Sequence, residues 1–103
     1  MEEICSFEIN NKIYTIYNVD KIKGKETFVG QTTYDDTDIF IEKGNFKDML
    51  LTLKHELMHV WLYENGHINQ TRECTFDYEQ VCELVAVSNN SINKVVNLYI
   101  ESL

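Results

Sequence analysis

The sequence predicts an α+β fold in which a small, twisted, mostly antiparallel sheet packs on two main helices. Two patterns carry this expectation: apolar and polar residues alternate in the N-terminal part, then recur at three- and four-residue steps further on. Length sets the scale. With 103 residues, 44% of them hydrophobic, the chain is expected to form one compact domain over residues 1–103, with no room for a second.

Residues 6–9 and 12–18 alternate around Asn10-Asn11, a pair suited to a two-residue hairpin turn. Residues 27–34 and 37–42 form a second strand pair around Asp35, Asp36 and Asp38, with Gly24 and Gly44 at turns. The piece between, residues 19–25, reads as turn or loop. Tyr14, Tyr17, Phe28 and Phe40 fit a sheet core or sheet face better than a substrate-stacking set.

A helix is expected over residues 45–66. Asn45 can cap it, Asp48 stands in its first turn, and Asn65-Gly66 can end it. Leu50, Leu53, Leu57, Val60 and Trp61 make its apolar stripe, with His55, His59 and Leu62 on an adjoining face. A second helix follows Asp77, where Gln80 completes a capping box and Phe76 can staple against Val81. Its expected buried stripe is Val81, Val85, Ile92, Val96 and Tyr99.

The first helix contains His55-Glu56-Leu57-Met58-His59. Histidines four apart project from one helix face, close enough for each to give one nitrogen to a single zinc ion. Glu56 beside them can take a proton from an attacking water, which is the arrangement of a zinc-dependent peptidase. A catalytic zinc usually takes three protein ligands. His67 follows the helix end, but the metzincin spacing would need glycine at Leu62 and histidine at Asn65, and the chain has neither. Glu79 and Glu83, four apart on the second helix, are the better candidates, since either carboxylate would complete a His-His-Glu site.

The run Leu53-Lys54-His55-Glu56-Leu57-Met58-His59, followed by Glu79-Gln80-Val81-Cys82-Glu83-Leu84-Val85-Ala86, resembles the small gluzincins of the ImmA/IrrE type, many of them encoded by phages and mobile elements. The resemblance implies a minimal zincin-like fold with Glu79 as third metal ligand. Cys82 stands where that family has a small alanine, Glu83 where it has Asp or Asn, and Val85-Ala86 where it has Phe-Ala. The Glu79-to-Glu83 spacing also resembles thermolysin-type gluzincins, which implies that Glu83 orients a zinc-binding histidine from outside the ligand shell. In zincins generally an edge strand runs above the active-site helix and aligns an extended substrate, so one strand within residues 27–42 is expected to do so here. Cleavage of a regulatory protein such as a repressor is a further implication of the same likeness.

Two functional classes follow. The first is a zinc metallopeptidase acting on a peptide or protein, with Glu56 as general base and then general acid, and with Tyr34, Tyr63, Tyr78 or His67 as donor to the tetrahedral intermediate. The alternative is a noncatalytic zincin-fold interaction module that binds a partner protein. A formal charge of −8 argues against nucleic-acid binding, which needs a basic face. No apolar run is long enough to span a membrane, and the N-terminal residues lack the basic and apolar regions of a signal peptide. Cys5, Cys74 and Cys82 form no Cys-x-x-Cys pair, which argues against a disulfide framework or zinc knuckle. A cytoplasmic location is the expectation.

Overall fold

The computed structural model describes residues 1–22, 29–68 and 75–103. In chain order these form β1 (Glu2–Ile9), β2 (Lys12–Val19), β3 (Gly30–Thr33), β4 (Asp38–Glu42), α1 (Phe46–Glu64) and α2 (Tyr78–Ser102). The turn at Gly24, the strand start at Thr27 and Phe28, and Cys74 lie outside the described residues.

Asn10 and Asn11 both take left-handed backbone, with φ of 48° and 70°. That is the type I′ turn whose twist matches two paired strands, and asparagine tolerates it better than most residues. It closes an antiparallel β1–β2 hairpin whose last pair is Ile9 with Lys12. β3 and β4 form the second antiparallel pair, and β4 inserts beside β2 in parallel, giving the order β1-β2-β4-β3. The sheet is therefore mixed, with its one parallel pair at the centre. Among the described residues β3 is an edge strand.

One sheet face carries the core. Tyr14 and Ile16 from β2 and Ile39 and Ile41 from β4 meet Leu53, Leu57 and Val60 of α1 and Val96 and Tyr99 of α2. α1 lies over β3 and β4, and α2 lies over β1 and against α1. The buried Tyr99 hydroxyl is paired, as burial demands, and donates to Asn18 Oδ1 at 2.6 Å. On the opposite face Tyr17 and Phe40 stack with ring centroids 5.5 Å apart.

Both helix caps match their expected chemistry. Asn45 accepts from the Asp48 amide, and Gly66 takes left-handed backbone just beyond α1. Asp77 and Gln80 complete the capping box of α2. The stripe of α2 differs from expectation: Val96 and Tyr99 are buried, but Val81 and Val85 are exposed. The periodicity marks a face of the helix, and burial also needs a neighbour. α1 meets α2 at Ser88, whose hydroxyl lies 3.5 Å from Met58 Sδ, and the two turns of α2 that hold Val81 and Val85 come before that contact.

The hairpin is pinned to the end of α1 through Glu64. Its carboxylate accepts from the Tyr14 hydroxyl at 2.5 Å and from Lys12 Nζ at 3.3 Å, and its backbone carbonyl accepts from Asn10 Nδ2 at 2.8 Å. Burial, and then this bond, raise the Tyr14 pKa far above the usual tyrosine value.

Candidate metal centre

Helix geometry places the two histidines. A four-residue step turns about 400° around the axis, so the side chains lie one above the other. The His55 and His59 Nε2 atoms stand 3.1 Å apart, with the rings inclined at 77°. Two nitrogens about 2.0–2.1 Å from a tetrahedral zinc would be separated by about 3.3 Å, so this pair fits the ion. The same spacing also suits an N–H···N bond between the rings.

Glu56 turns from that face into the protein and is 5% exposed. Its Oε1 accepts from the Thr32 hydroxyl at 2.8 Å, and Thr32 is itself buried on β3. The ligand atoms of His55, Glu56 and His59 lie within 4.8 Å of one another, the one such group of three or more metal-binding side chains among the described residues. These residues could hold a metal ion, with a carboxylate next to it.

β3 approaches α1 closely at this point. A Cβ on Gly30 would lie 2.6 Å from Thr52 Cγ2 and 3.1 Å from both Cγ and Oε2 of Glu56. Gly30 and Thr32 are two apart on the strand and so face the same side, toward Glu56. Neither residue stands out in the sequence as part of a site. The usable signal was a glycine inside a strand, which often marks close approach of another element.

Glu79 and Glu83 are exposed and do not belong to the His55–Glu56–His59 group. Glu79 lies nine residues before Ser88, about 13–14 Å along the α2 axis, and nine residues rotate the helix by about half a turn beyond two full turns. It therefore projects opposite to the face that meets Met58. Glu83 is closer to that contact, about 7.5 Å along the axis, and leaves the helix on a similar side to Glu79.

The four candidate donors separate by position. His67 stacks on Trp61, with centroids 5.4 Å apart, and Trp61 lies about 200° around α1 from His59, so His67 sits away from the histidine face. Tyr63, four residues after His59, follows the two histidines along α1 and packs on Tyr34 with centroids 4.1 Å apart. Tyr78 is exposed at the start of α2. Asp38, at the end of the acidic turn, has its pKa raised by burial and then by Asp36.

No protein-family model matches this chain, and no match was found among curated proteins or solved structures. Among the described residues no helix is long and apolar enough to cross a membrane.

Proposed function

We propose that the chain is a zinc-dependent peptidase of the gluzincin type, related to the ImmA/IrrE proteins. The observation that carries this reading is the convergence of the His55 and His59 Nε2 atoms, 3.1 Å apart, beside the buried carboxylate of Glu56. Zinc in such a site lowers the pKa of water to about 7 and polarises a carbonyl. Glu56 takes a proton from the attacking water and returns it to the leaving amine. β3, an edge strand held against α1 at Glu56, offers backbone groups to an extended peptide and so aligns the scissile bond over the histidine face. By the family likeness Glu79 is the third ligand and Glu83 the outer partner of a histidine. For that role the first turns of α2 must reorient, because both glutamates face away from α1 in this conformation.

That orientation supports the second reading, a noncatalytic zincin-fold module that binds a partner protein. Metal analysis and one substitution separate the two. Protein prepared without added metal should hold about one zinc per chain. Glu56→Gln should keep it and lose about 10²–10⁴-fold in peptide hydrolysis. A chain that takes up no zinc on titration refutes both the site and the peptidase. Equal hydrolysis by the parent and the Gln variant refutes Glu56 as base.

A further inference from the structure

We propose that the edge strand β3 sets the orientation of the general base: Thr32 holds Oε1 of Glu56, and Gly30 lets the strand come close enough for that bond. The inference rests on the peptidase reading and deepens it. A glutamate side chain has several rotatable torsions, so an unsupported one samples several rotamers and presents its carboxylate in several directions. Here one oxygen is committed. Thr32 Oγ1 donates to Oε1 at 2.8 Å, and both residues are 5% exposed, so little water competes for the bond.

A side chain at position 30 would begin 2.6 Å from Thr52 Cγ2 and 3.1 Å from Glu56 Cγ and Oε2, so glycine is what lets the strand lie this close to Glu56 and bring Thr32 within reach of it. The two residues lie on one face of one strand, and the ladder with β4, pairing Gly30 with Ile41 and Thr32 with Ile39, fixes both relative to the sheet. Thr32 touches no reacting atom in this scheme. It is a positioning residue, acting through Glu56.

The test compares Thr32→Val, which keeps the shape and removes the donor, with Thr32→Ser, which keeps the donor. In metal-free protein with labelled glutamate, three-bond NMR couplings should report a single Glu56 rotamer for the parent and the Ser variant, and averaged couplings for the Val variant. In the zinc-loaded protein, the best-cleaved member of an internally quenched fluorogenic peptide set should show kcat reduced about 10–100-fold by Val, with KM unchanged and kcat recovered by Ser. Zinc content should be equal in all three. A single Glu56 rotamer in the Val variant, or a Ser variant as impaired as Val, overturns the proposal. A parent that cleaves no member of the set refutes the peptidase reading, and the couplings still decide whether Thr32 orients Glu56.

Discussion

Gly30→Ala perturbs a close approach of β3 to α1. The φ of Gly30 is not in the left-handed region, so alanine meets no backbone strain and the whole effect is steric. The added methyl would lie 2.6 Å from Thr52 Cγ2, against about 3.5–4.0 Å for a relaxed contact of two carbons. Roughly 1 Å must be recovered. Thr52 resists, since its hydroxyl donates to the Asp48 carbonyl at 2.9 Å and turning the side chain forfeits that bond. The strand resists too, because lifting it strains its ladder with β4. Overpacking of this kind costs about 1–3 kcal/mol. Alanine restricts the unfolded chain and returns about 0.4–1 kcal/mol. The net loss should be about 1–2 kcal/mol, which for a domain of this size lowers the melting temperature by roughly 5–15 °C. Urea unfolding of the metal-free protein measures it, with an unchanged m-value as the sign that the folded state stays compact. Thr52→Ser removes the clashing Cγ2 and should restore most of the loss in the double variant. An alanine variant as stable as the parent, or a double variant no better than Gly30→Ala alone, would refute the close approach on which the site geometry depends.

Two further predictions concern the scaffold. Burial raises the pKa of both Tyr14 and Tyr99 above the usual tyrosine value, the Glu64 bond adding to it at Tyr14 and the Asn18 bond opposing it at Tyr99. The folded chain therefore holds these protons more tightly than the unfolded chain. Their stabilisation is complete below the unfolded pKa of about 10 and is lost as pH rises toward the folded values. Urea midpoints should fall above about pH 10, and less steeply in Tyr14→Phe. Thr37 has φ of 55° in the turn between β3 and β4, a conformation that a β-branched residue adopts at a cost. Thr37→Asn should raise stability by about 1 kcal/mol in the same assay, and a loss would show that the turn depends on the threonine itself.

How far the fold and site were legible follows from how local each feature is. The Asn10-Asn11 hairpin, the Asn45 cap, the Asp77–Gln80 capping box and the histidine pair depend on residues a few positions apart, and backbone geometry alone sets their spacing. The place of β4 between β2 and β3 depends on where the chain travels between strands, and an alternating pattern carries no record of neighbours. Glu56 is the same case at the site. Its part in the motif was readable, but its burial and its bond to Thr32 come from a strand 24 residues earlier. Val81 and Val85 have the right period for a core that does not reach them.

The third ligand is the feature that local sequence constrains least, and zinc itself can report on it. The capping box holds the start of α2, while packing against α1 and the sheet begins near Ser88, so residues 78–87 have helix hydrogen bonds but few buried apolar contacts. Segments of that kind open and turn at low free-energy cost. A metal that recruits Glu79 must draw these turns toward the histidine face, and its binding free energy is then shared with their docking. Zinc titration followed by amide NMR should therefore move residues 78–87 together with 55–59, and leave the packed end of α2 from residue 96 onward unchanged. Glu79→Ala should abolish the effect on residues 78–87 and all but remove zinc binding, whereas Glu83→Ala should weaken affinity by about 10–100-fold and keep a detectable site. If zinc shifts only residues 55–59, or if Glu83→Ala is the more damaging change, Glu79 is not the ligand and the two-histidine site must be completed in another way.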